Sequence, residues 1–306
     1  MDPAGAIRQL LADPDTAAFL IYLETGRDVR FPPSSEVFSP DFVETPPPFL
    51  PEDEKEPLPD FSGTQVPRVQ YLSGSRPDAE ALFRRPLQWD LRDGEPTVLI
   101  LHTHSTESYT KGSASYRETS AYRTLEEDYN MLSIGALTAE LLCRNGIPAI
   151  QDRTVHDYPS YNGSYSHARK SIGEYLERYP SIRLVLDLHR DASEGGSGQL
   201  RTLAHVEGEG CAQLMTVVGT GHSGYEENLS LGLKLHAQLE AQAPGITRPL
   251  QLRSSRFNQD LLPGALLIEV GAAGNSHDEA LRAARQLARA ITDLAEGTAP
   301  GEAPEE

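Results

Sequence analysis

Apolar positions recur along the chain in two periods, and the alternation between them outlines a fold. Residues 97–101 form a short apolar run entered after Gly94 and Pro96, as a strand buried on both faces requires. Over 127–145 the period lengthens to that of a helix, with Met131, Ile134, Leu137 and Leu141 on one face and Asn145-Gly146 as the stop. Residues 148–150 open a further short strand, and 166–179 form a helix with Ile172, Tyr175, Leu176 and Tyr179 in phase. A second clear strand covers 183–188, and a third covers 213–218, closed by the turn Gly219-Thr220-Gly221. A helix over 228–242 and a buried strand over 265–270 follow. The last helix is the best defined: Ser276 and Glu279 make a capping box, and Leu281, Ala284, Leu287, Ile291 and Leu294 a stripe. Strands alternating with helices predict an α/β fold, a mostly parallel sheet flanked by helices on both faces.

Two appendages frame that body. Ile7, Leu10, Leu11, Ala18 and Leu20 predict a short helical segment within 1–30, stopped at Gly26. Nine prolines fall within 31–60, so residues 31–63 read as an extended, acidic linker. The 306 residues carry a formal net charge of -18, but 13 acidic residues against 4 basic ones lie within 1–64. Five more carboxylates and no base lie within 293–306, so the folded domain expected over 64–295 is nearly balanced and 296–306 is an acidic, disordered tail. A pI near 4.9 argues against a partner held by phosphate contacts. Cys143 and Cys211 form neither a disulfide framework nor a thiolate metal set. The apolar run at 17–23 is far shorter than the roughly 18 residues of a membrane helix, so the chain as written is expected to be soluble.

In a parallel sheet, ligands bind beyond the carboxyl ends of the strands. The first strand runs into His102-Thr103-His104-Ser105-Thr106-Glu107, the second ends Asp187-Leu188-His189-Arg190-Asp191, and the fourth holds Glu269 inside an apolar run. A carboxylate buried in a strand is costly unless paired or coordinated. Two histidines and carboxylates converging at one rim make a catalytic zinc set, with one further acidic ligand needed besides Glu269. Glu107, Glu126, Glu127 and Asp128 are the candidates, and the residues alone do not choose among them. His205, His222, His236 and His277 read as surface histidines.

The segments LHTHSTESY (101–109), HDYPSYNGSYSHA (156–168), DLHRDA (187–192) and FNQDLLPGALLIEVG (257–271) resemble the stage II sporulation protein P family, over roughly residues 95–292. The resemblance implies a zinc-dependent N-acetylmuramoyl-L-alanine amidase of amidase or zinc-exopeptidase-like fold, acting on peptidoglycan during sporulation and engulfment. Carried over by motif, His104 and His189 are zinc ligands and Glu269 is the catalytic carboxylate. The Asn four residues after the middle ligand matches Asn130 and selects Glu126, with Glu107 and Glu127 still open. Arg190 is a candidate for stabilising the oxyanion or binding a substrate carboxylate, and Asn258, Tyr161 and Asn162 for lining the substrate groove. The family implies work outside the cytoplasmic membrane behind an N-terminal anchor, with a lytic transglycosylase (stage II sporulation protein D) and the membrane protein stage II sporulation protein M as partners. Rival readings are a zinc peptidase acting on wall peptides and a non-catalytic wall-binding scaffold.

Overall fold

In chain order, β1 (Val69–Tyr71) and a one-turn helix α1 (Ala79–Phe83) precede β2 (Val98–Leu101), α2 (Met131–Arg144) and β3 (Ala149–Gln151). Helix α3 (Ser164–Arg178) leads to β4 (Leu184–Asp191) and two small antiparallel pairs, β5 (Glu194–Gly195) with β6 (Gly198–Gln199) and β7 (Leu203–Val206) with β8 (Glu209–Ala212). Then come β9 (Leu214–Gly219), α4 (Tyr225–Gln242), β10 (Leu250–Arg253), β11 (Ala265–Ala272) and α5 (His277–Ala295). This is a computed structural model, which describes residues 61–297 apart from 62, 88, 93–94, 111–121, 193 and 196–197. The helical segment expected within 1–30, nearly all of the linker and most of the tail lie outside the described residues.

Seven strands form one sheet in the order β1-β10-β9-β11-β4-β2-β3. Every pairing is parallel except that of β9 with β11. The fold is therefore α/β with a mostly parallel sheet and helices on both faces. Side chains alternate across it. Val98, Ile100, Leu184, Leu186, Leu188, Leu266, Ile268 and Val270 enter the large core beneath α1, α2, α4 and α5. Leu99, Leu101, Val185 and Ala265 meet Ala168 and Ile172 of α3 on the other face.

The helix expected to begin at residue 127 begins at Met131. Asn130 takes the N-cap position and its side chain accepts from Leu132 N–H at 2.9 Å, while Glu127–Tyr129 forms a separate 3-10 turn. The capping box of Ser276 and Glu279 is present. His236 corrects a sequence expectation. It is buried, its Nε2 lies 3.0 Å from Thr247 Oγ1, and burial pushes its pKa down to about 4. Among the described residues, no helix is long and apolar enough to cross a membrane.

Candidate metal centre

The site lies where β2, β4 and β11 end side by side. Glu269 and His189 are register partners on the parallel strands β11 and β4, so both side chains rise from the same face. His104 and Glu107 lie on the turn after β2. That turn is pinned at Thr103, whose backbone N–H and hydroxyl both donate to Asp187, at 2.8 and 2.6 Å. Glu107 N–H donates to His104 O at 3.1 Å, which sets the two side chains together, and Glu107 O accepts the first helical N–H of α2 from Met131 at 3.0 Å.

Glu107 stands between the two histidines, with Oε1 3.3 Å from His104 Nδ1 and Oε2 3.6 Å from His189 Nδ1. All three residues are buried, and their donor atoms lie within 4.8 Å of one another. Tetrahedral ligands each about 2.1 Å from a zinc ion stand roughly 3.4 Å apart, so two imidazoles and a carboxylate at these separations fit a metal. His189 Nε2 is 3.0 Å from Asp187 Oδ1, close enough to attract but too poorly aligned for a formed hydrogen bond.

Electrostatics hold the charged forms. Burial opposes a charge on Glu107, but hydrogen bonding to His104 and His189 and the field of Arg190 outweigh it and keep the carboxyl well below its usual range. Burial likewise disfavours a protonated His189, yet Asp187 and Glu107 raise its pKa well above that of a free imidazole. Glu269 behaves oppositely. Burial pushes its carboxyl up to about 7, Glu107 and Asp191 add to the rise, and His189 opposes it. Its Oε2 is buried and, among the described residues, has no hydrogen-bond partner. Such an oxygen, at the edge of a ligand cluster, is poised to take a proton.

The structure brings His104 and His189 together with Glu269 in register beside His189, and the carboxylate grouped with the two histidines is Glu107. Glu126 is exposed at the start of the 3-10 turn and makes no side-chain cap, so it does not reach the cluster. Glu107 occupies that position instead. Glu127 is exposed too, paired with Arg153. Arg190 is also revised. As the neighbour of His189 on an extended strand, it points to the opposite face, where its guanidinium donates to Ser108 O at 3.1 Å and Tyr122 O at 2.9 Å. Its backbone N–H reaches Glu107 Oε2 at 3.2 Å, so Arg190 braces the turn that carries His104 and Glu107.

Asn258 is buried, and its amide donates to Tyr165 O at 2.8 Å, which commits it to holding α3. Tyr161 is exposed and stacks on His104 at 4.6 Å between ring centroids, with Arg123 also packed on its ring at 4.6 Å. Asn162 is exposed on the same loop. His102 packs on the α2 side, its Nδ1 3.1 Å from Leu188 O and its Nε2 3.0 Å from Gln151 Nε2, and burial lowers its pKa to about 4. Tyr165, in the same motif over 156–168 as Tyr161 and Asn162, brings its ring to 5.5 Å from that of His104 and 6.4 Å from that of His189.

The family model for stage II sporulation protein P (SpoIIP) matches residues 51–292. Stage II sporulation protein P of Bacillus subtilis (strain 168) is 29% identical over 211 residues, covering 64% of this chain and 50% of the relative. The chain thus spans about half the length of the curated relative it matches. Among solved structures, an N-acetylmuramoyl-L-alanine amidase from Clostridium difficile 630 is 15% identical, covering 66% of this chain and 95% of that one, with a TM-score of 0.39. The CwlD amidase from Clostridioides difficile, solved in complex with the GerS lipoprotein, is 15% identical, covering 65% and 95%, with a TM-score of 0.40.

Proposed function

The chain belongs to the stage II sporulation protein P family, and on that premise we propose that it is a zinc-dependent N-acetylmuramoyl-L-alanine amidase. It cleaves the amide between the muramic acid lactyl group and L-Ala of peptidoglycan during sporulation, on the outer side of the cytoplasmic membrane. One observation carries this reading: a buried carboxylate held between two imidazoles, with a second, unpartnered carboxylate in register beside it.

In this reading His104, Glu107 and His189 would hold the zinc ion. Zinc in such a three-ligand site polarises a carbonyl and lowers the pKa of a bound water toward neutrality. Glu269 accepts the proton of the attacking water on Oε2 and delivers it to the departing amine, a task suited to a carboxyl whose pKa sits near 7. Asp187 steadies His189 from behind and, through Thr103, fixes the strand-end turn that carries the other two ligands. Arg190 contributes through Glu107, holding it ionised.

Purified sacculi test this directly. The zinc-loaded protein is expected to release stem peptides with a new N-terminal L-Ala. Glu269→Gln is expected to lower that rate at least about 100-fold while still binding zinc. Wild-type hydrolysis rates in Glu269→Gln, or products that keep the lactyl–L-Ala bond, would sink the proposal.

A further inference from the structure

Beside the ligand cluster, between the first turn of α3 and the residues that follow β10, lies a cavity of about 340 Å³. Tyr165, Arg169, Ser255, Arg256, Phe257 and Asn258 line it. Its walls are held rigidly. Phe257 and Asn258 are consecutive residues in the left-handed region, with φ of 53° and 57°. A bulky side chain rarely keeps that conformation unless its surroundings impose it. Here they do. Asn258 is tied to Tyr165 O, and buried Gln259 accepts from Gly219 N–H at 2.7 Å and donates to Val217 O at 2.8 Å. The Gly219-Thr220-Gly221 turn gives this segment its seat. A Cβ on Gly219 would stand 2.3 Å from Ser255 O, and one on Gly221 3.0 Å from Ser254 O.

The charges of the cavity are unequal. Arg169 grips Asp260 with both terminal nitrogens, at 2.8 and 2.9 Å, so those two charges cancel. Arg256 approaches Asp260 only to 3.8 Å, and its side chain is 58% exposed. Among the described residues no carboxylate lines the cavity, which leaves its mouth positive. The inner wall is aromatic: Phe257 lies 5.9 Å from Tyr165 between ring centroids and packs on Met215, Val217 and Leu267. Tyr165 also faces both histidine ligands, so the cavity opens one ring's breadth from the reacting centre. An extended peptide advances about 3.3 Å per residue, so a group one or two residues from the cleaved amide reaches past Tyr165.

We propose that this cavity is a substrate subsite for a carboxylate on the peptide side of the scissile amide, with Arg256 as its charge partner. The proposal rests on the amidase reading and adds to it a preference for acidic stem peptides. The guanidinium fork matches a carboxylate, and the Phe257 and Tyr165 rings receive the methylenes that carry it.

Two muramyl peptides provide the test, differing only in whether the residue after L-Ala carries a free carboxylate or its carboxamide. With the zinc-loaded chain, the acid is expected to be favoured about tenfold, mainly through KM, the lower end for a hydrogen bond to a charged group because Arg256 is partly exposed. Arg256→Gln is expected to bring the ratio toward one, Arg256→Lys to keep part of it, and added salt to narrow it. Equal handling of acid and amide by the wild type, or an unchanged ratio in Arg256→Gln, overturns the subsite. Should neither peptide be hydrolysed, the amidase reading fails, and calorimetric titration of the same pair still reads the subsite. An affinity preference for the acid that Arg256→Gln removes supports it, and equal affinities overturn it.

Discussion

Exchanging each of two carboxylates for its amide separates Glu107, which is grouped with the two histidines, from Glu126, which the family resemblance implies. Glu107→Gln keeps the shape of the side chain but removes the only negative charge among the three clustered donors. Supporting groups around a metal are commonly worth 10–100-fold in affinity, so loss of a ligand itself is expected to weaken zinc binding by at least about 100-fold, roughly 2.7 kcal/mol. The zinc-free protein suffers as well. Arg190 N–H at 3.2 Å and Arg123 at 3.4 Å, along with both imidazoles, lose the charge they face. Since His189 keeps Asp187 as a partner, a cost of about 3 kcal/mol is expected, the lower end for breaking a buried ion pair. Glu126→Gln alters an exposed side chain that caps nothing, so zinc affinity is expected to hold within about twofold and stability within about 0.5 kcal/mol. Competition for zinc against a chromophoric chelator, with thermal melts of the metal-free proteins, reads both quantities. If Glu126→Gln lost zinc and Glu107→Gln did not, the assignment of the ligand set would be wrong.

Three further outcomes follow from individual contacts. Asp187→Asn is expected to weaken zinc binding about 10–100-fold, because it loosens both His189 and Thr103; unchanged affinity by the same chelator assay would remove Asp187 from the site. Gly135→Ala places a Cβ 2.3 Å from His102 Nε2 and 2.4 Å from Gln151 Nε2, so a loss of about 2–3 kcal/mol is expected in urea denaturation, and a midpoint like that of the wild type would show that α2 yields freely. Asp152 supplies a pH dependence. Burial works against its ionised form, but hydrogen bonds from His156, Ser171 and Thr154 prevail and bring the carboxyl from 3.8 down to about 2. A depressed folded-state pKa means the contribution, about 2 kcal/mol, is present above pH 3.8 and lost as pH falls toward 2. Asp152→Asn is expected to flatten the unfolding free energy of the protein across that window, and an unaltered acid limb would refute this.

The strands that carry chemistry were readable because parallel strands covered on both faces appear as continuous apolar runs, as in 97–101 and 265–270. The capping box at Ser276 was equally plain. By contrast, β1 and β10 span three and four residues, too few for a period to register, and the reversal between β9 and β11 is a matter of pairing that no local pattern encodes. His104, His189 and Glu269, which the fold brings to neighbouring strand ends, are legible as candidates. Glu107 was visible as a candidate three residues beyond His104, but recognising it needed the turn that folds those residues together. Asn130, which the resemblance pairs with Glu126, is the N-cap of α2. The position of Arg190 followed from a signal already present: next to His189 on a strand, it had to face the other way.

The central position of β11 has a bearing on how the molecule comes apart. It is laddered on one side to β4 and on the other to β9, so Glu269 and His189 lie on strands whose amides are shielded by neighbours in both directions. Local openings start where a segment has few such ladders, and strands this enclosed exchange their amide hydrogens last. Glu107 and His104 sit instead on a turn at the end of β2. On warming, the turn that carries His104 and Glu107 is therefore expected to open before the strands that carry Glu269 and His189, an order that amide hydrogen exchange reads. Loss of metal binding on warming is then expected ahead of the melting of the sheet.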